Sequence, residues 1–76
     1  MKLRDVLATN IRKRRRERGL SQEELAHRAG VDRTYISSLE RSIYAASVDV
    51  VERLAKELEI DPADLFVRKS LSKPER

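Results

Sequence analysis

Apolar residues recur three and four positions apart along almost the whole chain, and nothing alternates with period two. That pattern predicts helices and no strands. The first helix is expected from about Leu3 to Arg18, with Leu3, Leu7 and Ile11 on one face. Gly19 follows it, where a left-handed backbone suits glycine. Ser21-Gln22-Glu23-Glu24 has the form of a capping box, a serine N-cap with a glutamate three residues on, and opens a second helix that ends at Gly30. Leu25, Ala26 and Ala29 are its inward positions. Asp32 is placed to cap a third helix from Arg33 to about Arg41, with Ile36 and Leu39 apolar. Residues 42–46 read as a loop. Ser47 is placed to cap a fourth helix, Val48 to Leu58, whose buried stripe is Val50, Val51, Leu54, Ala55 and Leu58. Asp61-Pro62 then opens a short fifth helix containing Ala63, Leu65, Phe66 and Val67, since proline at the first helical position lacks only an amide that has no partner there. The expected architecture is all-α, a compact five-helix bundle over residues 1–67. Residues 68–76 are polar, basic and interrupted by Pro74, and are expected to fray.

Composition narrows the class. The chain has 76 residues, room for one domain with a small core. Leu, Ile, Val and Phe make up 20 of the 76, enough for a highly charged chain to fold. There is no cysteine, which removes disulfide frameworks and thiolate zinc sites. One histidine and two glycines leave little material for catalysis, and no metal site or cofactor is expected; His27 reads as an exposed helix residue. No apolar run approaches the length that spans a bilayer, and nothing after Met1 resembles a secretory leader, so a cytoplasmic domain is expected.

The net charge of +4 conceals an asymmetry. Residues 1–41 hold 11 basic and 6 acidic residues, residues 42–67 hold 2 and 6, and the tail holds 4 and 1. A domain with one basic half suits a polyanion on that side, though a solvated helix or a membrane-surface helix has the same charge pattern.

Two short helices joined by a tight glycine-containing turn describe a helix-turn-helix. Counting from Gln22 as position one, Leu25 is fourth, Ala26 fifth, Ala29 eighth, Gly30 ninth, Val31 tenth, Ile36 fifteenth and Leu39 eighteenth. A small side chain at Ala26 permits close approach of the second helix. Gly30 admits a positive φ. The larger apolar side chains form the wedge that sets the interhelical angle.

On these residues the chain resembles the phage-repressor-like helix-turn-helix domains, the Cro and Xre-type regulators. The likeness covers residues 7–67 and is carried by Ile11-Arg12, the segment from Gly19 to Ala26, Ala29-Gly30-Val31 and the segment from Tyr35 to Arg41. Asp32-Arg33-Thr34-Tyr35-Ile36-Ser37 also resembles the controller proteins of restriction–modification systems. The resemblance implies a homodimer on double-stranded operator DNA, with the third helix in the major groove. It assigns base-facing positions to Arg33, Thr34, Tyr35 and Ser38. Arg33 is suited either to guanine O6 and N7 or to phosphate. Thr34 offers a methyl for thymine or a hydroxyl for phosphate, and Tyr35 a phosphate donor or a packing group. Gln22 matches a position that holds a phosphate at the start of the second helix, where backbone amides favour anions; the alternative is a solvent-exposed first helical residue. Arg15 and Glu40 match a pair that joins the first helix to the third.

The chain also departs from that family. Ser42 stands where glycine is usual, and Ile43-Tyr44-Ala45-Ala46 replaces a polar or basic loop. Arg41, Ser42 and Tyr44 are left to supply the contacts after the recognition helix. Arg14 sits where many relatives carry leucine. Leu65, Phe66 and Val67 are the expected dimer surface, with Leu58, Ile60 and Leu71 nearby; the alternative for Phe66 is a core plug. The resulting expectation is a transcriptional regulator, more often a repressor. An antitoxin that also binds its own promoter is the competing reading, and about nine residues after the bundle are few for a toxin-binding domain.

Overall fold

The structure, a computed structural model, describes residues 2–68. Four α-helices run in the order α1 Leu3–Glu17, α2 Gln22–Ala29, α3 Arg33–Glu40 and α4 Val48–Leu58, followed by a 3-10 turn, Pro62–Phe66. No strand occurs among the described residues. The expected tail lies outside them from residue 69 onward.

The fifth element is therefore a single 3-10 turn and not an α-helix. Asp61 starts it, its side chain accepting from the Ala63 amide at 2.9 Å. Its continuation as an α-helix is opposed from outside: the Asn10 side-chain amide of α1 donates to the carbonyls of Leu65 and Val67, both at 2.9 Å. Those carbonyls are held by another helix, and the chain leaves extended at Val67.

Local chemistry fixes the starts. Ser21 and Glu24 form the full capping box, each side chain bonded to the other's amide, at 3.0 and 2.8 Å. Ser47 Oγ accepts from the Val50 amide. Asp32 has the extended conformation of an N-cap, but its side chain makes no cap bond. The capping expected of it is absent.

The helix ends share one backbone pattern. In each, one amide past the helix reaches back five residues, Leu20 to Arg15, Val31 to Ala26, Ile43 to Ser38 and Ile60 to Ala55, and the amide before it reaches back three. The pivot is left-handed every time. It is Gly19 and Gly30 after α1 and α2, but Ser42 at φ 61° and Glu59 at φ 60° after α3 and α4.

Leu7, Ile11, Leu20, Leu25, Ala26, Ala29, Ile36, Leu39, the α4 stripe and Leu65 form one core. All five expected α4 residues are buried. In α1 the expected face is off at its start: Leu3 is 51% exposed, whereas Val6 and Ala8 are buried. The 3-10 turn packs against α1, where Asn10 bonds to it.

Candidate nucleic-acid interface

The helix-turn-helix is held at a buried carboxylate. Glu40, the last residue of α3, is 4% exposed. Arg15 of α1 meets it in a two-pronged pair, Nε to Oε2 at 2.6 Å and an η-nitrogen to Oε1 at 2.9 Å. Arg15 also donates to the Leu20 carbonyl at 2.9 Å. Gln22, the first residue of α2, donates its side-chain amide to Glu40 Oε1 at 3.0 Å. Arg12 donates to the Glu40 backbone carbonyl at 3.0 Å. Three helices thus converge on one side chain. Burial pushes the Glu40 carboxyl up, but the hydrogen bonds from Arg15 and Gln22 and the charges of Arg15 and Arg12 outweigh it and hold the group below the ordinary glutamate value. The pairing of Arg15 with Glu40 is as expected from the sequence. The roles of Gln22 and Arg12 in it are not.

That anchoring sets how α3 presents its first turn. Arg33 and Thr34 are exposed there. Tyr35 is half-buried and packs against the core. Its ring lies 6.2 Å from that of Tyr44, centroid to centroid, with the planes inclined by 35°. Tyr44 itself is 55% exposed. Ser38, expected at a base, is instead buried at 6% exposure, and its carbonyl accepts from the Ile43 amide.

The loop residues expected to touch DNA divide in the same way. Arg41 is exposed but bends back along α3, Nε donating to the Ser37 carbonyl at 3.4 Å. The Ser42 hydroxyl donates to the Asp5 carboxylate, the main cause that lowers the Asp5 pKa. Asp5 carried no mark in the sequence, since its partner lies 37 residues away.

The expected dimer residues are likewise separated. Leu65 is fully buried within its own chain, because its 3-10 turn lies against α1 and α4, and it presents nothing to a partner. Phe66 is half-buried and lines a cleft of about 350 Å³ with Leu3, Leu7, Ala45 and Ala46 and the basic residues Lys2 and Arg4. Val67 is 50% exposed. The described residues contain no cluster of His, Asp or Glu able to hold a metal ion, and no helix long and apolar enough to cross a membrane.

A helix-turn-helix family model, HTH_3, matches residues 11–65, which takes in the Glu40 anchor and both helices of the motif. The chain belongs to this family. Within it, the chain is 45% identical over 65 residues to a hypothetical transcription factor of Neisseria meningitidis serogroup B, covering 86% of this chain and 61% of that protein. It is 38% identical over 71 residues to the control protein C.SmaI of Serratia marcescens, covering 93% and 84%. Among solved structures, the Neisseria factor superposes with a TM-score of 0.88 at 38% identity, over 92% of this chain and 80% of that one. The restriction–modification controller C.AhdI of Aeromonas hydrophila superposes with a TM-score of 0.80 at 36% identity, over 83% and 96%. HTH_3 regulators are DNA-binding proteins and not a family of enzymes.

Proposed function

We propose that this DNA-binding transcriptional regulator acts in the cytoplasm as a homodimer on a two-fold operator, reading base edges through the first turn of α3. The observation that carries the reading is the contrast within that helix. Glu40 locks its far end to α1 and α2, while Arg33 and Thr34 stand exposed at the near end. A rigid mount with free polar side chains at its tip is what groove recognition requires. Gln22 donates one side-chain N–H to Glu40, so its part is to orient the motif, and a phosphate can meet the helix start beside it. A single module of this size seldom reaches specific affinity, which favours a dimer. Phe66 and Val67 are the side chains available for it. Repression follows if the dimer covers DNA that another protein needs. The likeness to C.SmaI and C.AhdI supports a place among restriction–modification controllers.

Selection from random duplexes supplies an operator, and binding to it is then compared with binding to a scrambled duplex at several salt concentrations. A dimer making about 6–10 phosphate contacts loses on the order of 10³–10⁵ in affinity between 50 and 200 mM salt. Arg33→Ala costs about 1–3 kcal/mol per half-site on operator and relaxes preference at one symmetric base pair. A flat salt dependence refutes DNA binding through the basic half. Equal losses on both duplexes make Arg33 a phosphate anchor and shift specificity to Thr34, Tyr35 or DNA shape.

A further inference from the structure

Tyr35 and Tyr44 are the only tyrosines in the chain, and they meet. Tyr35 belongs to the first turn of α3, beside Arg33 and Thr34. Tyr44 belongs to the loop between α3 and α4. A centroid separation of 6.2 Å with inclined planes is within the range of a favourable aromatic pair. The surrounding loop offers Tyr44 little else. Arg41 is turned back onto Ser37, Ser42 is bonded to Asp5, and Ile43, Ala45 and Ala46 carry no polar side-chain atom. Without a neighbour, a partly exposed tyrosine at the start of a short helix samples several rotamers, and its hydroxyl sweeps a wide arc. The core holds one side of Tyr35, and Tyr44 is the aromatic ring beside it.

We propose that Tyr44 is a positioning residue for sequence recognition: it fixes the ring of Tyr35, so that the Tyr35 hydroxyl meets the DNA in one place. The proposal rests on the reading of α3 as the recognition helix. It gives the apolar loop a purpose that phosphate binding does not, because a ring can orient another ring with no charge at all. It also separates two roles within one loop. The Tyr44 ring acts through Tyr35, and its own hydroxyl is dispensable.

The test uses the full chain with two probes, the selected operator and a scrambled duplex of the same composition. Tyr44→Phe keeps the ring and is expected to hold the operator-to-scrambled ratio within about twofold. Tyr44→Ala removes the ring and is expected to lower that ratio by about 2- to 10-fold, the scale of one aromatic pair. In a Tyr35→Phe background, where no hydroxyl is left to aim, Tyr44→Ala should lose most of that effect. The free proteins give a readout independent of DNA. With two tyrosines and no tryptophan, the ring resonances assign by substitution, and ring-to-ring nuclear Overhauser contacts are expected in the wild type and rotamer averaging of Tyr35 in Tyr44→Ala. The proposal is overturned if Tyr44→Ala weakens both duplexes alike, if Tyr44→Phe falls as far as Tyr44→Ala, or if the full loss persists without the Tyr35 hydroxyl. A wild type that prefers no duplex refutes the operator reading itself. A selective wild type with an unselective role for Tyr44 refutes this proposal alone.

Discussion

Glu40 is the residue on which most depends. Its carboxylate has little water around it, so its charge is tolerated only because Arg15 and Gln22 donate to it and Arg12 stands nearby. Such a pair adds little over an apolar substitute but is costly to break from one side. Arg15→Ala is therefore expected to lower stability by about 3–5 kcal/mol, a large share of what a small domain possesses, as read by urea unfolding at pH 7. The pH dependence follows from the lowered pKa. Glu40 binds its proton more weakly folded than unfolded. Its contribution is complete above the ordinary glutamate value of about 4.3 and drains away as pH falls through the lower folded value. Glu40→Gln should flatten the loss of stability between pH 5 and pH 3 relative to the wild type; equal slopes would mean that the pair does not drive acid unfolding. The pair itself was readable from family resemblance. The family match puts Gln22 at a phosphate, and only the fold reveals an anion of the protein's own already in reach.

At the level of elements, the four helices end with the same backbone turn but by two different means. Glycine takes the left-handed position without strain at 19 and 30. Ser42 and Glu59 take it at a cost of about 1–2 kcal/mol each, the penalty of a Cβ in that conformation. Ser42 is tied to α1 through Asp5, and Glu59 to the residue that follows α1 through a 2.7 Å contact with Arg18. Asp5→Ala should thus destabilise the wild type and be nearly silent in a Ser42→Gly background, which a cycle of four thermal melts measures. An effect of equal size in both backgrounds would separate Asp5 from the turn. This contrast also explains what the sequence disclosed. Caps at Ser21, Ser47 and Asp61 and glycine ends at 19 and 30 are local chemistry, and the helix starts and stops follow from them. The ends near Arg41 and at Leu58 follow from the periodicity, but the left-handed residues there, Ser42 and Glu59, have partners 37 and 41 residues away, which composition does not register. The same holds for the 3-10 turn, whose geometry is set by Asn10, and for Ser38 and Leu65, whose burial is decided by what packs over them.

For the molecule as a whole, charge is unevenly distributed along the chain. The basic excess lies in α1 through α3, and the acidic excess in α4 and the segment after it. Leu3, Phe66 and Val67 supply accessible apolar surface, while Leu65 fills the core. Phe66→Glu is expected to give a folded monomer, with the helical circular dichroism of the wild type, a sedimentation mass near 8.8 kDa and weakened operator binding. Loss of helicity would assign Phe66 to the core, and a persisting dimer would move the interface elsewhere.

The Glu40 anchor has one more consequence, which concerns how such a protein changes over time. Ile36, Leu39 and Glu40 hold α3 to the rest of the bundle, and Arg33 and Thr34 take no part in that. Exchanging the side chains at 33 and 34 leaves the mount untouched, and exposed positions free of caps and ion pairs usually tolerate exchange with little loss of stability. If the first turn of α3 reads base edges as proposed, new DNA preferences are open to the lineage in single steps, each through folded intermediates. Rewiring of one regulator to a different promoter then requires no second mutation to restore the scaffold.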